Sequence, residues 1–397
     1  MTDSLSKSAS HYKRLVRQGV KEHGWSSPSN LTDWVIQMAI DIQQIPAPTF
    51  HEKTRAAYIQ QQFQELKLEQ IRMDERYNVY GVMRGSDSHQ PALMLSAHSD
   101  TVFDLGVDLS VHRKAERIYG PGLGDNSLGV AGMLAVGRTL REKGFVPACD
   151  IYFVCTSREE GLGDLGGMRL AYDTLKDHIG AVINIEGLAY GYVYNKAIAV
   201  RRYKISVEAE GGHSWVHFGR TSAVHGLVEL GHRILKVQVP NEPRTTFNIG
   251  VVSGGLSINT IAANAEMWLD MRSETDEALA DLEEQVRGHI DDLHSHTMRF
   301  SVDVVSDRPS GHVNDEHPLV QMALAILQMQ GTDAGLHTGS TDGNIPMSHG
   351  CPTVTIGMTT GGNAHRSDEY IEVDPVRKGM EQLLRLTMLT CDQIHTF

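Results

Sequence analysis

Two kinds of periodicity divide the chain. "LTDWVIQMAIDIQQI" from Leu31 and "TRAAYIQQQFQELKL" from Thr54 repeat apolar residues at helical spacing, which predicts two amphipathic helices. "PALMLSAH", "DIYFVCTS" and "GAVINIEG" are apolar runs of strand length, and "GVAGMLAVGRTLREKG" between the first two reads as a helix. Strands alternating with helices predict an α/β layered domain with a mostly parallel sheet. The pattern changes near Val200. "RRYKISVEAEG" alternates, "TSAVHGLVELGHRILKV" is helical, and "TTFNIGVVSGG" and "NAEMWLDMRSE" read as strands. In "EALADLEEQVRGHIDDLHSH", Leu279, Leu282, Val286, Ile290 and Leu293 form one apolar face. "MRFSVDVVSD" completes a β-α-β-β-α-β order, the ferredoxin-like arrangement.

After Pro309 the first pattern resumes with "HPLVQMALAILQMQG", "CPTVTIGM" and a last helix from Asp374. The chain therefore reads as an α/β domain, residues 1–200 and 308–397, interrupted by an inserted α+β domain, residues 201–307. A length of 397 residues, too long for one ordinary core, agrees with two domains.

Composition narrows the function classes. With 41% hydrophobic and 21% charged residues the balance is that of a soluble globular protein. A net charge of -13 argues against nucleic-acid and anionic-membrane partners, which need clustered Lys and Arg. "MTDSLSKSASHYKRLVRQG" lacks the apolar core of a secretory signal, and no apolar run approaches membrane-spanning length. Cys149, Cys155, Cys351 and Cys391 are scattered, as free thiols in a reducing compartment would be, so a cytoplasmic location is expected.

The predicted strand ends carry the chemistry. "LMLSAHSDTVF" puts His98 and Asp100 just past a strand, and "YGPGLGDNSLG" puts Asp125 in a glycine-rich turn opening a helix. "TSREEGLGD" supplies Glu159 and Glu160, "INIEG" supplies Glu186, and "GGNAHRSDEY" supplies His365. Adjacent carboxylates at the mouth of a buried strand repel each other and lose hydration, so something must offset that cost. Imidazoles and carboxylates meeting beyond the strands' carboxyl ends are the ligands of a divalent transition-metal site. They are too many for one tetrahedral zinc. A carboxylate bridging two ions about 3.5–4 Å apart uses them better.

The ordered series "HSD", "GLGDNSLG", "REEG", "IEG" and "GGNAH" resembles the M20 family of dinuclear zinc exopeptidases and amidohydrolases. That family includes peptidase T, carboxypeptidase G2 and aminoacylase-1, and the character here is nearest to peptidase T-like exopeptidases. The resemblance implies a zinc-exopeptidase-type fold with an inserted lid and dimerisation domain, hence a homodimer. It implies two divalent ions, zinc first, with cobalt or manganese accepted by the same ligands. Asp125 would bridge them, His98 and Glu186 would complete one site, and Glu160 and His365 the other. Glu159 would be the general base and Asp100 the orienter of His98. In "EAEGGHSWVHFGRTSA", His213 corresponds to the oxyanion-stabilising histidine, which in dimeric members serves the partner subunit. Asn259 and Arg272 in "SINTIAANAEMWLDMRS", and Gly339 in "TGSTDGN", correspond to substrate-side positions. The expected substrate is a short peptide, with an N-acyl amino acid as the alternative; the reading from another class is a catalytically silent binding homologue, against which the intact Glu159 argues.

Taken singly these residues are ordinary. Asp125 could cap a helix, Glu159 and Glu160 could be solvated, and Arg272 could form a surface ion pair. Their order carries the reading. His217, His225 and His232 are read as structural or surface residues. The chain departs from the family pattern at Phe103, where many members have Pro, and in the turn before Asp125. It has Glu186 where peptidase T has Asp and carbamoyl-hydrolysing relatives have His.

Overall fold

The computed structural model describes residues 2–24 and 30–397, which form two compact units. One comprises the chain up to Ala197 together with His312–Phe397; the other is Ile198–Gly311.

The first unit is built on a mixed sheet. Across it lie Glu69–Met73, Val79–Met83, Ile151–Thr156, Ala92–His98, Ile179–Glu186, Thr353–Gly357 and Tyr192–Ala197, with Gly335–Gly339 beside the last. The four central strands, Ile151–Thr156 through Thr353–Gly357, are mutually parallel, and antiparallel pairings occur toward the edges. Central strands buried on both faces need apolar residues at consecutive positions, which is why they read as unbroken runs.

The two faces nevertheless differ. Leu93, Leu95, Ala97, Phe153, Ile183, Ile185, Val354 and Ile356 belong to the large core that includes the helices Leu31–Gln43, Leu128–Glu142, Pro318–Met329 and Asp374–Gln393. The intervening residues Met94, Val154 and Val182 pack with the helix Gly166–Leu175 and Ile345 in a smaller core. On this second face the apolar residues give way to Ser96 and His98, Thr156, Asn184 and Glu186, and Thr355 as each strand nears its carboxyl end. An amino-terminal helix, Thr2–His23, places Val16 in the large core. Among the described residues no helix is long and apolar enough to cross a membrane.

The second unit is a four-stranded antiparallel sheet in the order Thr245–Gly254, Asn264–Ser273, Ala199–Ala209, Met298–Arg308. Numbered along the chain this is 2-3-1-4, the ferredoxin-like topology read in reverse. Tyr203, Ile205, Val207, Met267, Leu269 and Met271 pack with the helices Ala223–Ile234 and Asp276–Leu293. Alternate residues, including Arg202, Lys204, Asp270 and Arg272, occupy the other face, the half-solvated pattern of an antiparallel sheet.

Candidate metal centre

Five of the predicted ligands meet in the first unit. Asp125 is central because its two carboxylate oxygens face different imidazoles. Oδ1 lies 3.1 Å from His98 Nε2 and Oδ2 lies 3.0 Å from His365 Nε2. Glu186 Oε2 stands 3.5 Å from His98 Nε2, while Glu160 Oε1 stands 3.1 Å from His365 Nε2. The result is two half-sites, His98 with Glu186 and His365 with Glu160, sharing one carboxylate. His98, Asp125 and Glu160 alone offer ligand atoms all within 4.8 Å of one another.

Local structure explains each placement. His98 ends its strand, is 2% exposed, and has Nδ1 3.2 Å from the carbonyl oxygen of Asp100. A carbonyl can only accept, so Nδ1 carries a proton, and Nε2 is the nitrogen directed at Asp125 and Glu186, the one that would serve as a metal ligand. The Asp100 carboxylate is 3.6 Å from the same nitrogen, and its short hydrogen bonds go elsewhere. It accepts from the backbone N–H groups of Glu159 and Glu160, both at 2.9 Å, and from the Thr49 hydroxyl at 2.8 Å. Asp100 therefore fixes the turn carrying the paired glutamates as well as flanking His98. Glu159 and Glu160 are each 6% exposed.

Asp125 lies in a turn that begins with Gly122 at φ +70, a conformation that favours glycine. It does not cap the following helix: its backbone is non-helical and Ser127 occupies the cap position. Glu369 holds the turn instead, accepting from the backbone N–H groups of Gly122, Gly124 and Asp125 at 3.0, 2.7 and 3.0 Å. His365 sits at φ +66 in its loop.

The electrostatics are those of a site crowded with acid. Burial pushes Asp125 up, but hydrogen bonds to His365 and His98 outweigh it and leave the carboxyl below its usual range. Burial raises Glu160, and its bond to His365 only partly offsets this. His365 is raised to about 10 by its hydrogen bonds to Asp125 and Glu160. Burial works to lower His98, yet Asp100, Asp125 and Glu186 together hold it well above the ordinary imidazole value. Among the described residues, Asp125, Glu160 and Glu186 have only these two imidazoles as ion-pair partners.

Three carboxylates and two imidazole nitrogens, shared through one bridging group, fit a pair of divalent ions in donor type and number. A model of peptidase family M20/M25/M40 matches residues 94–389, which contain all five. The chain belongs to this family. It is 25% identical to an acetylornithine deacetylase of Edwardsiella ictaluri over 80% of this chain and 86% of that one. Its fold matches a tripeptidase from Staphylococcus aureus with a TM-score of 0.76 at 21% identity, covering 91% of this chain and 99% of that one. It also matches a dinuclear metal-binding M20 peptidase from Bacillus subtilis, TM-score 0.66 at 16% identity, covering 92% and 99% of the two chains. The protein is thus an M20 hydrolase acting on amide bonds, with a centre suited to divalent metal.

The remaining predicted residues of this M20 chain fall in both units. Gly339 ends the strand Gly335–Gly339 of the first unit. In the second unit a short ladder pairs Gly212 with Ile261 and His213 with Thr260, and the Ser214 N–H donates to the Asn259 carbonyl at 3.0 Å. His213 and Asn259 are thereby neighbours on one exposed tip. Arg272 donates to Asp270 at 2.7 Å, and Arg202 donates to the same carboxylate at 2.8 Å.

Sequence reasoning missed three supporting residues. Glu369, four positions after His365 in "HRSDEY", looks like a loop charge until its three backbone donors are seen. Asn184 donates to Glu186 Oε1 at 3.3 Å but reads as an ordinary strand residue. Asp342, fully buried, accepts from the Thr156 hydroxyl at 2.5 Å, and Thr156 is the strand partner of His98. Burial, with Asp100 and Glu186 nearby, pushes Asp342 up to about 7 against the opposing effect of His98 and Thr156. Its place inside the quoted "TGSTDGN" was the available signal.

Proposed function

We propose that the protein is a two-metal exopeptidase hydrolysing short peptides. The observation that supports this most is the division of labour around Asp100. Its two oxygens each bind one backbone N–H of the Glu159–Glu160 pair, so one glutamate can ligate while its neighbour handles protons. Two divalent ions held by these residues would polarise the scissile carbonyl and lower the pKa of water. Glu159 accepts the proton of the attacking water and delivers it to the leaving amine. His98 keeps its Nδ1 proton on the Asp100 carbonyl and offers Nε2 as ligand. Glu369 holds the Asp125 turn through three N–H groups, and Asn184 holds Glu186.

In this reading zinc is the resident metal, with cobalt and manganese as competent substitutes. The Ile198–Gly311 unit is a lid and dimerisation domain. His213, supplied by the second subunit of a homodimer, donates to the oxyanion, and Asn259 and Arg272 bind the substrate's carbonyl or carboxylate end. The enzyme works in the cytoplasm without nucleic-acid or membrane partners.

A second reading, an N-acyl amino acid deacylase, is favoured by the similarity to the Edwardsiella deacetylase. Mass spectrometry of products from zinc-loaded protein decides between them, using free peptides, end-blocked peptides and N-acyl amino acids. Cleavage of free peptides and not of amino-blocked ones supports the exopeptidase. Cleavage of N-acyl amino acids alone moves the function to the deacylase. Glu159→Gln retains its metals and loses about 100-fold or more of kcat; normal turnover in that variant sinks the mechanism.

A further inference from the structure

One row of side chains crosses the sheet from the metal centre to the edge. Strand pairing sets Ser96 beside Asn184, Asn184 beside Thr355, Thr355 beside Tyr194, and Tyr194 beside His337. Directly paired residues share a face, and hydrogen bonds confirm it for the first half of the row. The Ser96 hydroxyl donates to Asn184 at 2.9 Å, and the Asn184 amide reaches both Glu186 and Thr355 at 3.3 Å. The second half turns aromatic. The Tyr192 and His337 rings lie 4.0 Å apart, with Tyr194 at 5.9 Å from His337 and 6.4 Å from Tyr192.

Gly339 belongs to this group. A Cβ there would stand 2.9 Å from Cδ1 and Cε1 of Tyr194, so glycine lets the ring lie against the backbone. Burial, and after it the negative charge of Glu186, raises the Tyr194 phenol above its ordinary value. Tyr192 is 43% exposed and His337 is exposed, so the outer part of the cluster faces solvent. Two strand spacings separate Asn184 from Tyr194, about 10 Å.

We propose that Tyr192, Tyr194 and His337 form an aromatic subsite that receives a planar aromatic group flanking the scissile amide of the substrate. This rests on the amide-hydrolase reading of the centre and names the substrate class. The rings offer both face and edge, the geometry in which aromatic groups attract one another beyond simple burial. Gly339 then acts on the substrate through Tyr194 rather than by direct contact.

The test compares kcat/KM for matched amides, Ala-Ala, Phe-Ala, Ala-Phe, N-acetyl-alanine and N-benzoyl-alanine, on zinc-loaded protein. Wild type prefers one aromatic member over its small counterpart by about 10-fold, the upper end for one aromatic contact. Tyr192→Ala and His337→Ala each lower that ratio several-fold, and Tyr192→Phe restores it. Two zinc ions bound per variant chain exclude misfolding as the cause. An unchanged ratio in both alanine variants, or equal rates on all amides in wild type, overturns the subsite. If no amide is hydrolysed, the function fails first, and the subsite is judged by calorimetry with N-benzoylglycine against N-acetylglycine. Tighter binding of the benzoyl compound that is lost in Tyr192→Ala supports the subsite, and equal binding overturns it.

Discussion

The two units each hold a knot of charge, and the knots are built in opposite ways. In the second unit Asp270 lies between Arg202, its partner across the strands, and Arg272, two residues along its own strand. Burial raises Asp270, but the two guanidiniums outweigh it and hold the carboxyl below its usual range. That cluster balances its acid with permanent cations. In the first unit Asp125, Glu160 and Glu186 share only the imidazoles of His98 and His365, both of which must give up protons to act as ligands. One arrangement pairs its acid with the chain's own permanent cations. The other gathers more acid than its two imidazoles can balance once they act as ligands, which suits a multivalent cation. The contrast separates a carboxylate paired by arginines from carboxylates gathered where a metal would bind.

The largest expected effect comes from removing the shared carboxylate. Asp125→Ala should bind fewer than one ion per chain, by elemental analysis, and lose roughly 1000-fold or more in activity, because several kcal/mol of transition-state stabilisation depends on the metals. Full metal content in that variant would break the comparison at its first point. Glu369→Gln is next. An amide in place of the carboxylate turns one acceptor into a donor facing backbone N–H groups. Metal affinity, measured by chelator competition, should fall about 10- to 100-fold with the fold intact.

The smallest effect belongs to the other cluster. Because the folded-state pKa of Asp270 is lowered, its contribution to stability is present above the unfolded value near 3.9 and is lost as pH falls through the folded pKa. Asp270→Asn should therefore destabilise the chain by about 1 kcal/mol or less at pH 7 and flatten the loss of stability in acid, read by thermal melts from pH 6 to pH 3. Metal content should stay at the wild-type value.

Much of this was legible in the chain. Helical spacing and apolar runs give the α/β class, and the ligands stand out because polar residues abruptly end buried strands. Long-range pairings were not legible. Glu369 reaches the Asp125 turn across more than two hundred positions, and no local pattern marks a loop glutamate as an acceptor of three backbone N–H groups. The two faces of the central sheet were hidden for a related reason. A strand buried on both sides shows little alternation, so the replacement of Met94, Val154 and Val182 by Ser96, Thr156 and Asn184 further along the same face emerges only once the strands are paired. Gly339 reads as part of a substrate-side loop, and no local pattern shows that it also lies under an aromatic ring.

Metal stoichiometry of wild type and His365→Ala, prepared metal-free and then titrated with zinc under elemental analysis, tests the central claim most directly. Two half-sites joined through Asp125 predict two ions per wild-type chain and one in the variant, with the His98–Glu186 site still filled. A single ion in wild type, or two in His365→Ala, would contradict a centre built from two half-sites on one shared carboxylate.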